Sequence, residues 1–146
     1  LTETGGLFTL SEMTMQKTQK EKSTQTNFDI KMRVTYVENE SNPEGNYFFF
    51  AYKIFITNKG ASPAQLMSRH WIITDGNGHV EEVRGAGVVG AQPHIVSGET
   101  FEYESACPLT TTSGSMRGSY QMLDENGQTF EIEIPEFYLI APSALH

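Results

Sequence analysis

Phe28-Asp29-Ile30-Lys31-Met32-Arg33-Val34-Thr35-Tyr36 alternates apolar and polar side chains without a break. Successive side chains of an extended chain point to opposite faces. Phe28, Ile30, Met32, Val34 and Tyr36 therefore make one apolar side of a half-buried strand. After the turn-like Ser41-Asn42-Pro43-Glu44-Gly45-Asn46, residues 47–57 are dense in aromatic and β-branched types, as expected of a central strand covered on both faces. Asn58-Lys59-Gly60-Ala61-Ser62-Pro63 interrupts the pattern. Residues 65–74 resume it with Leu66, Met67, Trp71, Ile72 and Ile73.

The second half repeats this grammar. Asp75-Gly76-Asn77-Gly78 supplies residues that tolerate positive φ, so a hairpin should pass the chain to a short strand at residues 79–84. Ser97-Gly98 separates a short segment at 93–96 from a strand at 100–105, where Phe101 and Tyr103 alternate with Glu102 and Glu104. Asp124-Glu125-Asn126-Gly127 repeats the hairpin signal between residues 116–123 and 128–134, and Pro135 is expected to end the last strand. Turn signals recur every ~8–12 residues and no window between 27 and 140 carries a helical stripe. This predicts an all-β, antiparallel β-sandwich of the fibronectin III or immunoglobulin type with seven to eight strands. The sandwich is preferred to a closed barrel because the strands are short and their connections uneven.

A chain of 146 residues suits one hydrophobic core. Residues 27–146 are read as that domain, and residues 1–26 as a flexible N-terminal extension or a vector-derived segment. Lys17, Lys20 and Lys22 gather in the extension, but Glu12 and Glu21 interrupt them among Ser, Thr and Gln, as in a solvated tail. A net charge of −8 opposes binding to nucleic acid, which needs a dense cationic stripe. The most apolar stretch, residues 47–56, contains Lys53 and is too short to span a bilayer, so no membrane partner is expected. The single Cys107 excludes an intramolecular disulfide and reads as a small buried hydrophobe. With no secretory signal at the start, the cytoplasm is the expected compartment.

Gly85-Ala86-Gly87-Val88-Val89-Gly90 matches the G-x-G-x-x-G pattern of dinucleotide folds. That mechanism needs a helix directly after the glycines, and Ala91-Gln92-Pro93 follows instead. A glycine-rich connection in a sandwich is the better reading, with a binding loop that offers backbone N–H groups as the sharper one. Asp75-Gly76-Asn77-Gly78 fails as a calcium loop because Val80 and Ala86 stand where Gly and Glu are required. His70, His79 and His94 lack metal-site spacing, and no G-x-S-x-G elbow occurs, so neither metal ligands nor catalytic residues are assigned. In Ser68-Arg69-His70-Trp71, strand alternation puts Arg69 and Trp71 on one face. The sole tryptophan is then a core anchor or, alternatively, an interface hot spot.

Five linked motifs are shared with a known family. They are Ser68-Arg69-His70-Trp71-x-Ile73-x-Asp75; Val83-Arg84-Gly85-x-Gly87-Val88-Val89-Gly90-x-x-Pro93; Gly98-x-x-Phe101-x-Tyr103-x-Ser105; Thr112-x-Gly114-x-Met116-x-Gly118-x-Tyr120; and Ile134-Pro135-x-Phe137-x-Leu139. In this order and spacing they resemble the ApaG family. The resemblance implies a fibronectin III-like sandwich acting as a protein-interaction module, with a bacterial link to cobalt and magnesium resistance or efflux, and it carries over no catalytic residue. The expected partner is another protein, met by Arg84, Gly85, Gly87, Val88, Val89, Gly90 and Gln92 with Arg69 and Trp71 on the adjacent strand. The alternative is a small anion, such as pyrophosphate or a nucleotide phosphate, or a weakly held Mg²⁺ or Co²⁺ at the same loop. No cofactor is expected.

Overall fold

The computed structural model describes residues 27–145; the reading of residues 1–26 lies outside them. Eight strands follow in order: β1 (Phe28–Tyr36), β2 (Phe48–Asn58), β3 (Ala64–Asp75), β4 (Val80–Ala86), β5 (His94–Ile95), β6 (Thr100–Leu109), β7 (Ser113–Asp124) and β8 (Thr129–Ile140). One sheet has the order β1-β2-β6. The other has the order β4-β3-β7-β8, with β5 also on β3, and every pairing is antiparallel. This is the strand order of a fibronectin III-type sandwich.

β2 buries Phe48, Phe50, Tyr52, Ile54 and Ile56 against the second sheet, while the residues between them stay half-buried. The expected cover on both faces is therefore absent. The outward Phe55 is instead flanked by Arg33 and Lys53, whose charged groups lie 5.4 and 5.5 Å from its ring centre. At the end of β2, Asn58 is the one fully buried amide side chain among the described residues. Its amide donates to the carbonyls of Ser62 (2.9 Å) and Ile95 (2.8 Å) and accepts from the Gly60 N–H (2.9 Å). All its polar atoms are engaged, so burial carries no unpaired-group penalty.

Both hairpins form. The carboxylate of Asp75 accepts from the N–H groups of Asn77 and His79, and that of Asp124 from Asn126 and Gln128. Gly78 and Gly127 take φ of 84° and 80°. These carboxylates hold turns, which is the chemistry that the Asp-Gly and Asn-Gly signals express.

Pro135 does not end its strand. Gly118 pairs with Ile134 and Met116 with Phe137, so Pro135 and Glu136 together face Arg117 in a bulge. β8 is an edge strand, where a missing N–H breaks no ladder bond. The extra residue reverses the alternation: Ile132 and Ile134 face the core before the bulge, Phe137 and Leu139 after it. A second irregularity at Met67 does the same in β3, moving the buried set from Ala64 and Leu66 to Trp71.

Aromatic side chains join the two sheets. Trp71 packs edge-on against Tyr52, Phe137 and Tyr120, with ring centres 5.6, 5.9 and 6.4 Å away. The hydroxyls of Tyr103 and Tyr120 bond to each other across the core. Burial raises the pKa of Tyr52, Tyr103 and Tyr120, and for Tyr120 the neighbouring Tyr103 adds to the shift. The fold thus holds these phenols neutral, whereas unfolded tyrosines ionise near pH ~10. The unfolded state then binds fewer protons, so stability present below that value is lost as pH rises through it. The melting temperature should fall steeply above pH ~9.5. A Tyr103→Phe/Tyr120→Phe double variant should show a shallower decline in the same calorimetric series; parallel curves would contradict the assignment.

Candidate functional site

One edge of β3 is shared by two short strands. β4 pairs with it from Thr74 back to Ser68, and β5 pairs with Gln65 and Ala64. Between them the chain leaves the edge. Gly87 N–H donates to the Met67 carbonyl (2.8 Å) at the exit, and Leu66 N–H to the Pro93 carbonyl (3.0 Å) at the return. Val88 and Ala91 exchange two backbone bonds, of 2.8 and 2.9 Å. The tip is Val89-Gly90, with φ of 48° and 77°. Two central residues at positive φ are the signature of the two-residue type I′ turn.

The loop is pinned from below. Nη1 of Arg69 donates to the carbonyls of Ala86 (3.0 Å) and Gly87 (2.9 Å). Its guanidinium lies so close over Gly85 that a Cβ there would sit 2.8 Å from it. Nε2 of Gln92 donates to the Met67 carbonyl (2.9 Å), and the Gln92 carbonyl accepts from Nε2 of Gln65 (3.0 Å). Val88 is 1% exposed and anchors the loop in the core. Gly87 is required twice over: its φ is 63°, and a Cβ would overlap the Ala91 carbonyl oxygen. The glycine pattern thus has a structural origin in a strand excursion with a guanidinium beneath it.

The predicted site residues divide accordingly. Val89, Gly90 and Gln92 are exposed, while Gly85 and Arg69 support them from the sheet. Arg84 projects from the outer face of the sheet, its side chain 71% exposed and 3.8 Å from Glu82, which also bonds His70 at 2.8 Å. Three assignments to a partner surface are corrected. Trp71 and Val88 are 3% and 1% exposed and Gly87 is buried, so none of them presents a free surface to a partner; the inward face of β3 makes Trp71 the core anchor, and the turn geometry buries Gly87 and Val88. Sequence reasoning missed Tyr52, Tyr103, Glu104 and Ser105, which line a hollow of about 200 Å³ beside the loop with Arg69, Val89 and the edges of the buried Trp71 and Val88. They come from the other sheet, and no local pattern marks a contact across the sandwich.

The chemistry available is limited. N–H groups of Gly87, Val88 and Ala91 all donate within the protein, so three of the donors an anion cradle would use are engaged. Among the described residues no three His, Cys, Asp or Glu side chains come together as metal ligands. The Cys107 thiol is pushed up to about 11 by burial and the nearby charge of Glu81, which keeps it protonated and a weak nucleophile near pH 7. Among the described residues no helix is long and apolar enough to cross a membrane.

Comparison with known proteins agrees with this architecture. The model of the ApaG domain matches residues 38–124. The ApaG protein of Bdellovibrio bacteriovorus is 64% identical over 119 residues, spanning 82% of this chain and 94% of that protein. That of Bordetella pertussis is 54% identical over 121 residues, spanning 82% and 92%. A crystal structure of the protein described as ApaA from Bordetella pertussis superposes with a TM-score of 0.74 at 54% identity, covering 79% of this chain and 95% of that one. On the family model and on relatives this similar over most of their length, the chain belongs to the ApaG family.

Proposed function

We propose that this domain is a non-catalytic protein-recognition module of the cytoplasm that meets its partner with the tip of the 84–92 loop. Val89 carries the reading. It is β-branched, sits at a φ of 48° and is 66% exposed. A left-handed backbone costs such a residue about 1–2 kcal/mol, and an exposed side chain recovers little of that by packing within the domain. The local geometry would be better served by Asn or Gly. An apolar side chain held there by a rigid frame is suited to insertion into another protein's surface, and the frame limits the ordering cost of binding. Exposed Gln92 at the return of the loop, and exposed Arg84 on the strand that leads into it, supply polar groups for a rim.

The second reading, a small anion or a divalent ion at the same loop, is favoured by the spacing of the glycines and the family's link to cobalt and magnesium. The internally engaged N–H groups and the unclustered carboxylates weigh against it.

Val89→Asn should raise the melting temperature by roughly 3–6 °C, because about 1 kcal/mol of backbone strain is relieved in a domain of this size. The same variant should lose at least tenfold in retention of the cellular partner, measured by quantitative mass spectrometry after affinity purification. Arg84→Glu should weaken retention while moving the melting temperature by less than about 1 °C. An unchanged set of captured proteins with both variants would sink this placement. Thermal-shift titrations with pyrophosphate, Mg²⁺ and Co²⁺ to about 10 mM should be flat; a displacement that grows with concentration would favour the second reading.

A further inference from the structure

The outer face of the β1-β2-β6 sheet is ordered by the strand register into rows. Lys31, Phe55 and Glu102 lie side by side; the next rows are Arg33, Lys53 and Glu104, then Thr35, Ala51 and Ala106. Phe49 and Pro108 continue the face beyond them. The β1 column thus carries Lys31 and Arg33 next to Asp29, which lies 3.7 Å from Lys31, and the β6 column carries the carboxylates Glu102 and Glu104. The central column carries Phe55, Ala51 and Phe49, interrupted by Lys53. The ammonium of Lys53 turns toward β6 to meet Glu102 at 3.0 Å. Lys31, Arg33 and Lys53 balance Asp29, Glu102 and Glu104, so this face is neutral on a chain of net charge −8.

We propose that a second copy of this chain docks on this face, related by a two-fold axis running along β2. Such an axis leaves each row in place and exchanges left for right. Lys31 then meets the other copy's Glu102, Arg33 meets its Glu104, and Phe55, Lys53, Ala51 and Phe49 meet their own equivalents near the axis, where Glu102 draws the Lys53 ammonium aside toward β6. An axis across the strands would set the β1 cations against each other and the β6 carboxylates against each other, whereas the axis along β2 repeats a like charge only at Lys53, so the outer columns favour one arrangement. Among the described residues neither Arg33 nor Glu104 has an ion-pair partner in its own chain. Two sheets crossed at about 30° are the ordinary aligned packing. Nine residues of β1 at ~3.4 Å and three strands ~4.8 Å apart give a face of roughly 30 by 14 Å, below the size of stable interfaces and in the range of weak, transient ones. The dimer should accordingly be reversible, with a dissociation constant on the order of tens of micromolar.

Sedimentation velocity of the full chain from about 5 to 500 μM tests this. In ~50 mM salt the mass should rise from 16.3 kDa toward twice that value, and it should fall back in ~500 mM salt as screening removes the cross-pairs. Arg33→Glu and Glu104→Arg, each checked for an unchanged circular dichroism spectrum, should weaken association at least tenfold alone. An equimolar mixture of the two should regain it, because the mixed pair again sets opposite charges against each other at both symmetry-related contacts. If either variant fails to fold, Lys31→Glu and Glu102→Lys serve as the same test on the next row. Val89→Asn should dimerise as the wild type does, which separates this face from the loop. A chain that stays monomeric at 500 μM, a dimer that the reversals leave intact, or a mixture that does not recover would overturn the proposal.

Discussion

Trp71 on β3 lies against Tyr52 of the opposite sheet and against Tyr120 and Phe137 of its own, so the sheets meet through edge-on aromatic packing rather than through aliphatic contacts alone. Each such pair contributes about 0.5–1.5 kcal/mol beyond the area it buries. Large polar aromatics need somewhere to put their hydroxyls, and the bond between Tyr103 and Tyr120 meets that need from both sides of the sandwich. The inter-sheet distance and the angle of β3 follow from this cluster. Everything attached to β3 inherits its position.

The loop is the clearest case of inheritance. Arg69 stands two residues before Trp71 on the same face, so fixing the indole also fixes the direction of the guanidinium. From there Arg69 reaches the Ala86 and Gly87 carbonyls, at the point where the chain leaves the β3 ladder, and supplies them with a donor. A lysine could not replace it equivalently, since its ammonium lacks the planar group that fits flat over Gly85. The core, the arginine and the loop tip form one mechanical chain, with strain placed only at its exposed end, Val89.

Much of this fold was legible in the sequence because alternation and turn chemistry are local. The run from Phe28 to Tyr36 and the two Asp-to-Gly hairpins could be read directly. Pro135 misled because proline was read as a terminator, although the shift from Ile132 and Ile134 to Phe137 and Leu139 already records an inserted residue. The glycine loop was visible as a motif, but its cause was not. Arg69 acts on main-chain carbonyls, which leave no side-chain signature to pair with it. Tyr52 and Ser105 approach the loop only because β2 and β6 are neighbours in the other sheet, a non-local fact that no window of sequence contains.

The docking face and the loop tip hang from different sheets and share only Glu104, which borders the hollow beside the loop, and this separation has a mechanical consequence. A copy docked on the outer face of β1-β2-β6 covers Phe55 and its flanking charges, while the loop hangs from the edge of β3 in the other layer. Association through the first would leave both loops free, so a dimer would present two rigid tips at a fixed separation. Binding of the second tip to a partner with two sites then becomes intramolecular, and avidity follows from geometry without any new contact. The weakness expected of so small a face is compatible with this role, since a bivalent partner would itself hold the copies together and the interface need only set their spacing.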